Sequence, residues 1–162
     1  MTIAPLRRTV RTKAPPARAF EIFTSQMGRW WPRGQTVAAQ PHADIVVEPR
    51  VGGRWFERDD EGAETPWGHV LAWEPPVRLV LAWQLDGDRR YEPELITEVE
   101  IIFQPVDGGT EVRLEHRNLE RFRKRAPDWV AAVTDGWTRK LGEFAAFADL
   151  SDQETHLPDR EE

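Results

Sequence analysis

Hydrophobic and polar positions alternate with the two-residue period of β-strands through the middle of the chain. Between about residues 43 and 118, β-rich runs are separated by glycine, proline and Asp-Gly turn signals: ADIVVEP, RWFERDD, TPWGHVLAWE, RLVLAWQL, ELITEVEIIFQP and TEVRLEHRN. Another alternating run, LRRTVRTK at residues 6–13, precedes them and is stopped by Pro15 and Pro16. The pattern therefore predicts an antiparallel sheet of about seven strands.

Helical spacing occurs in two places. After Pro16, apolar residues recur at a helical period as far as Phe23 and predict a short amphipathic helix. The segment MGRWWPRG follows it and is predicted to be an irregular lid or connector. Residues 128–149 predict a long helix with one buried face. Its apolar stripe runs in steps of three and four through Val130, Val133, Trp137, Leu141, Phe144 and Ala148.

The order of these elements predicts the fold class. A sheet with one apolar face needs a cover, and the last helix carries the only long apolar stripe. We therefore expect an α+β fold in which a curved antiparallel sheet wraps the long C-terminal helix, with short helices between strands one and two. Residues 1–150 are expected to form a single domain, and the acidic residues 151–162 a disordered tail. Strand alternation points these side chains toward the helix: Leu79, Leu81, Trp83, Leu95, Thr97, Val99, Ile101, Phe103, Val112, Leu114 and His116.

Composition places the chain among soluble globular proteins. Of its 162 residues 40% are hydrophobic, with eight Trp and seven Phe, and 31% are charged. The absence of cysteine excludes disulfides, thiolate zinc sites and cysteine nucleophiles. Neither a signal-peptide pattern nor an apolar stretch of roughly 20 residues is present, so a cytoplasmic protein without membrane insertion is expected. The N-terminal arginines are spread over several elements and the net charge is −6, so nucleic acid is not an expected partner.

Five segments in order carry a resemblance to a known family: APPARAFEIFTSQMGRWWP, VGGRWFE, GHVLAWEPPVRLVLAW, DGGTEVRLEH and DGWTRKLGEF. Over about residues 6–150 the sequence resembles the activator of heat-shock-protein-90 ATPase homologues of the START-like, or Bet v 1-like, superfamily. The resemblance implies a helix-grip fold with a cavity between the sheet and the last helix. The family has ligand-binding, cyclase-like and co-chaperone members. The chain resembles the short stand-alone form, without the separate chaperone-binding domain of the eukaryotic activators, and this form implies hydrophobic-ligand binding.

Tryptophans are the first candidates for ligand contact. Trp30, Trp31, Trp55, Trp83 and Trp137 offer flat aromatic walls that bind planar apolar molecules. Core packing is the alternative for each of them. Trp30 and Trp31 are predicted to lie near a cavity mouth, because two indoles in a connector bounded by glycine and proline are hard to bury unless they close over something.

His116 and Thr97 are the candidate polar anchors. His116 lies on the inward face of its strand, beside Val112 and Leu114, where a neutral imidazole can hydrogen-bond a ligand or move a proton. If the protein is an enzyme, His116 is its candidate catalytic residue. A structural histidine with satisfied hydrogen bonds is the alternative. Thr97 is a weaker candidate for anchoring a polar ligand group.

Other kinds of site are not indicated by the sequence. The four histidines are scattered, with no i,i+4 pair, so neither a metal nor a cofactor is predicted. No serine lies in a nucleophile elbow, which argues against a Ser-His-Asp hydrolase. Glu57, Asp59, Asp60 and Glu61 crowd a hairpin and are interpreted as a solvated turn rather than an acid–base or cation site.

The predicted function is the binding of a small hydrophobic or aromatic ligand, lipid-like or polyketide-like, in the internal cavity, without chemistry. One alternative is a cyclase- or aromatase-type enzyme that uses the same cavity, with His116 as general acid or base. The second alternative is a protein-interaction role in chaperone-ATPase regulation or stress response, with a chaperone or regulator as partner. That role predicts an exposed apolar patch, and the charged outer faces of the last two strands argue against one there. Monomer and homodimer both stay open.

Overall fold

The computed structural model of the protein describes residues 3–38, 42–86, 88–122 and 126–155. Its first half contains β1 (Leu6–Thr12), α1 (Pro16–Ser25), α2 (Met27–Trp30), β2 (His42–Val47), β3 (Arg54–Asp59) and β4 (Glu64–Glu74). Its second half contains β5 (Arg78–Trp83), β6 (Thr97–Val106), β7 (Gly109–Arg117), a 3-10 turn (Leu119–Phe122) and α3 (Ala126–Thr155). Among these described residues, no helix is long and apolar enough to span a bilayer.

The seven strands form one antiparallel sheet in the order β1-β7-β6-β5-β4-β3-β2. Strands β2 to β7 are a meander in which each strand pairs with the next, and β1 pairs with β7. In this register Val10 lies opposite Val112, and Val99 lies opposite His116. The predicted antiparallel sheet of about seven strands is confirmed.

The inward face predicted from strand alternation is buried. Leu79, Leu81, Trp83, Thr97, Val99, Ile101, Phe103, Val112, Leu114 and His116 are each no more than 4% exposed, while Leu95 is partly buried. The apolar side of α3 is buried as well, through Val133, Trp137, Leu141, Phe144 and Ala148. The curved sheet therefore wraps α3, and the helix-grip fold is confirmed.

Charged side chains on the outer face of β6 and β7 form ion pairs between strands. Arg117 lies 3.0 Å from Glu98 and 3.1 Å from Glu100, and Arg78 on β5 lies 2.6 Å from Glu100. Paired charges leave no broad apolar surface on this part of the sheet, as the alternation of the two strands predicts.

The structure differs from the prediction at two places. Helix α3 extends to Thr155, so residues 151–155, predicted to belong to a disordered tail, are helical. The reason is that the buried side of the helix continues from Ala148 to Ser151, one turn further on. Residues 156–162 of the predicted tail lie outside the described residues. The segment predicted to be irregular contains the single helical turn Met27–Trp30, because Met27 and Trp30 are both buried on one side of it.

An irregularity in β4 brings tryptophan side chains of β3 and β5 together. Trp55 pairs with Gly68 but Phe56 pairs with Pro66, so Trp67 is the extra residue of a β-bulge. Gly68 lies between Trp55 on β3 and Trp83 on β5. Because Gly68 has no side chain, the indole rings of Trp55 and Trp83 contact each other across it, with their centroids 5.8 Å apart.

Candidate functional site

A cavity of about 300 Å³ lies between α3, the connector that follows α2, and strands β4 and β5. Volumes of this order hold small organic molecules. Four indole side chains contribute to its wall: Trp31, Trp67, Trp83 and Trp129. Val37, Leu85 and Val133 add aliphatic surface. The wall is therefore mainly aromatic and apolar, as a pocket for a flat hydrophobic molecule would be.

The connector is held over the cavity by a buried carboxylate. Glu57 is 1% exposed, and its Oε1 atom accepts the backbone N–H of Val37 at 2.7 Å and the indole N–H of Trp67 at 2.7 Å. Its Oε2 atom accepts the N–H of Ala38 at 3.3 Å. The interpretation of Glu57 as part of a solvated turn is wrong, because Glu57 lies two residues after Trp55 and shares its inward face.

Lys140 brings a titratable cation into this apolar site. Its side chain is 6% exposed. Its Nζ atom lies 4.9 Å from the ring centroid of Trp31, 5.4 Å from that of Trp137 and 5.9 Å from that of Trp83. These indole faces attract the ammonium form. Among the described residues, no carboxylate oxygen lies within 4.0 Å of Nζ.

Burial, together with the charges of Arg89 and Arg139, lowers the pKa of Lys140 to about 7. The amine therefore exchanges its proton near neutral pH, which an exposed lysine does not do. Lys140 can therefore supply or accept a proton at the cavity wall in this range.

His116 lies at the centre of a hydrogen-bond chain beneath the cavity wall. The indole N–H of Trp137 donates to His116 Nδ1 at 3.2 Å. Thr97 Oγ1 lies 2.8 Å from His116 Nε2 and donates to the carbonyl oxygen of Trp83 at 3.0 Å. Since the carbonyl can only accept, Nε2 carries the proton and donates to Thr97. Complete burial, with the charge of Lys140, lowers the pKa of His116 to about 3.

The structure brings the predicted site residues together, but at different depths. Trp31 and Trp83 line the cavity. Trp137 and Trp55 lie behind them, with the Trp137 ring centroid 5.8 Å from that of Trp31 and 5.6 Å from that of Trp83. Trp55 is 0% exposed, and its N–H contacts Met27 Sδ at 3.3 Å.

Trp30, Thr97 and His116 do not line this cavity. Trp30 packs between α1 and α3, against Phe23 and Phe144, and donates its N–H to the carbonyl of Ile22 at 3.1 Å. Trp30 is therefore part of the hydrophobic core, whereas its neighbour Trp31 lines the cavity.

Most of the lining residues were not among the sequence-predicted contacts, and these include Gln35, Trp67, Trp129 and Lys140. A signal for Lys140 is present in the sequence. It lies three residues after Trp137 and seven after Val133, so the helical period places it on the buried stripe. No comparable period marks Gln35 or Trp129, whose positions depend on how the connector and α3 meet. Within the described chain, no group of three or more His, Asp or Glu side chains could hold a metal ion.

Comparison with known proteins gives a family and a fold. Residues 13–149 match the family model for activator of Hsp90 ATPase homolog 1-like proteins. No curated protein is similar to the chain. Among solved structures, the anthrahydroquino-gama-pyrone synthase Txn09, solved in complex with SUM, is 34% identical with a TM-score of 0.64, over 90% of this chain and 97% of that one.

Two more distant structures share the fold. Protein NE0264 from Nitrosomonas europaea is 19% identical with a TM-score of 0.67, over 94% of this chain and 97% of that one. The Aha1 dimer from Colwellia psychrerythraea, solved in solution, is 18% identical with a TM-score of 0.66, over 91% and 97%. The family match over most of the chain and the relative at 34% identity agree with the helix-grip fold, and the chain belongs to the family of activator of Hsp90 ATPase homolog 1-like proteins.

Proposed function

We propose that the protein binds a small, flat aromatic or hydrophobic molecule in the cavity between α3 and the tryptophan-rich wall. The observation that carries this proposal is the space of about 300 Å³ beside four indole side chains. A ligand that buries about 200 Å² of apolar surface gains roughly 5 kcal/mol, at about 25 cal/mol per Å² and before the cost of association. A micromolar Kd corresponds to about 8 kcal/mol, so apolar burial of this size supplies only part of such an affinity, and ring stacking and polar contacts must supply the rest.

The relative at 34% identity supports an aromatic ligand. That protein is named as the synthase of an anthrahydroquino-gama-pyrone and was solved as a complex with SUM. Its name favours the same class of ligand as the indole wall of this chain, a fused aromatic ring system.

A substitution at the cavity wall tests the proposal. Ala132 is exposed and lines the cavity, whereas its neighbour Ala131 is exposed and does not line it. Ala132→Phe is expected to weaken the binding of a naphthalene-type ligand at least about tenfold, because the ring occupies part of the space that the ligand needs. Isothermal titration calorimetry of both variants measures the affinities.

Ala131→Phe is the matched control, since it adds the same ring to the same helix. Its affinity is expected to stay within about twofold of that of the unsubstituted protein. Equal losses in the two variants would contradict a ligand site in this cavity. So would the absence of saturable binding across a panel of flavonoid-like and polyketide-like aromatics.

A cyclase-type enzyme that uses the same cavity is the second candidate function, and the 34% identical synthase favours it. In that case we infer that Lys140 exchanges the proton. Both ring nitrogens of His116 already have partners, whereas Lys140 lines the cavity with a pKa lowered to about 7. Liquid chromatography with mass spectrometry of a polyketide-like compound after incubation with the protein separates the two functions. A binding protein returns the compound unchanged, whereas a cyclase returns a product lighter by water or an isomer with a different retention time.

A further inference from the structure

We propose that the cavity selects aromatic ligands that carry an acidic oxygen, as a carboxylate, phenolate or enolate, and that Lys140 binds this oxygen. The inference rests on the proposed function, because it concerns the same cavity. It goes further by naming the ligand's polar group and the residue that recognises it.

The charge of the cavity wall is the first argument. Lys140, Arg89 and Arg139 line the cavity, and Asp135 is the one carboxylate among its lining residues that the structure describes. Lys140 is the buried member of this group, and its Nζ has no carboxylate partner among the described residues. A buried cation without a counterion is costly. A neutral hydrocarbon would leave that cost in place, whereas an anionic oxygen removes it.

Indole donors without acceptors are the second argument. The N–H groups of Trp83 and Trp129 are buried and have no hydrogen-bond partner among the described residues. Both side chains line the cavity, and they are 4% and 9% exposed. Other indoles have partners: Trp31 donates to the carbonyl of Gln35 at 2.7 Å, and Trp67 donates to Glu57 at 2.7 Å. The indole N–H groups without acceptors therefore belong to the same cavity wall as the Lys140 ammonium. A ligand with several hydrogen-bond acceptors would satisfy them.

Gly136 keeps space open beside the ammonium. A Cβ atom at this position would lie 2.8 Å from Lys140 Nζ and 3.4 Å from Gln35 Oε1. Gln35 Oε1 is itself buried without a hydrogen-bond donor among the described residues. A ligand oxygen at this end of the cavity would meet the ammonium, and a ligand hydroxyl would meet the amide oxygen.

The proposal predicts a definite pH dependence. An anion beside Lys140 stabilises the ammonium, so binding of the acid takes up a proton once the pH exceeds the free pKa of about 7. The affinity for the acid therefore falls as the pH rises above 7. The other charged or titratable groups around Lys140 are Arg89 from the β5–β6 connection and Arg139 and Asp135 from α3. Glu57 and the neutral His116 lie behind the indoles of Trp67 and Trp137.

The test compares naphthalene-2-carboxylate with the neutral naphthalene-2-carboxamide by isothermal titration calorimetry at pH 6 and pH 9. At pH 6 the carboxylate is expected to bind at least about tenfold more tightly than the carboxamide, and most of this preference is lost at pH 9. In Lys140→Met the preference is lost at both pH values, because the substitution removes the group that distinguishes the carboxylate from the carboxamide. Arg139→Met removes an exposed cation from the same wall and is expected to change the preference by less than about threefold.

The outcomes separate this inference from the function on which it rests. Equal binding of the two ligands to the unsubstituted protein at pH 6 would overturn the inference alone, and so would an acid preference that survives in Lys140→Met. Failure of both ligands to bind would overturn the proposed function together with the inference. Circular dichroism and thermal unfolding of each variant show that the fold is retained.

Discussion

Gly68→Ala is expected to abolish most of the stability of the protein. A Cβ atom at Gly68 would overlap the carbonyl group of Ala82 on the neighbouring strand. The carbonyl belongs to the backbone of β5, so the clash is relieved only by separating β4 from β5. We expect a loss of at least about 4 kcal/mol in the free energy of unfolding. Urea denaturation followed by tryptophan fluorescence measures it.

Gly142→Ala is the matched control for this substitution. Gly142 lies in α3, and a Cβ atom there would have no heavy-atom neighbour within 4 Å. Because alanine is the better helix former, the free energy of unfolding is expected to rise by about 0.5–1 kcal/mol. A Gly68→Ala variant as stable as Gly142→Ala would show that β4 and β5 are not packed as described.

The free energy of unfolding is also expected to fall steeply as the pH falls from 6.5 toward 3, because of His116. Its pKa is lowered to about 3 in the folded protein, against an ordinary value of 6.5. Between these values the unfolded chain binds a proton that the folded protein does not bind, so acid favours unfolding. Each pH unit in this interval contributes about 1.4 kcal/mol, and the total loss is on the order of a few kcal/mol. Urea denaturation at successive pH values measures the slope.

Between pH 6.5 and pH 5, the change in the free energy of unfolding reports on His116 rather than on the surface carboxylates. The pKa values of Glu100 and Glu111 are lowered below 4.5. At Glu100, hydrogen bonds from Arg78 and Arg117 outweigh burial, and at Glu111 a hydrogen bond from Arg113 acts. The contributions of these carboxylates to the free energy of unfolding are therefore lost only at lower pH. His116→Gln is expected to be less stable at pH 7 but to show a shallower slope between pH 6.5 and 5. In the unsubstituted protein, ¹⁵N NMR is expected to show a neutral His116 ring, protonated on Nε2, at pH 5. A charged ring at that pH would contradict the buried hydrogen-bond chain.

The sheet and its cover were predictable because they depend on local periods. Alternation in TEVRLEHRN and ELITEVEIIF places Val112, Leu114, Val99 and Ile101 inward, and the structure buries all of them. The same rule places Glu57 on the inward face with Trp55, yet its charge favoured a solvated turn. The cost of burying that carboxylate is offset by three hydrogen bonds, two of them from a connector whose path no period predicts.

The candidate site was predictable only in outline. Aromatic content indicated an indole wall, and Trp31 and Trp83 do line the cavity. Which tryptophans reach the cavity depends on the β-bulge at Trp67 and on the contact of Trp55 with Trp83 across Gly68, both of which require strands to pair in a particular register.

The sequence by itself determined the strand and helix periods, the inward face of the sheet and the helix stripe that the sheet wraps, because these follow from the spacing of apolar residues along one element. The tertiary structure alone decided that a space remains between the elements and that Lys140 stands in it among three indoles without a carboxylate partner in the described chain. The same apolar stripe is compatible with a fully packed core and with a core that contains a cavity. The volume of the cavity depends on how α3, the connector and two strands pack together. The same packing decides that a lysine side chain faces the cavity.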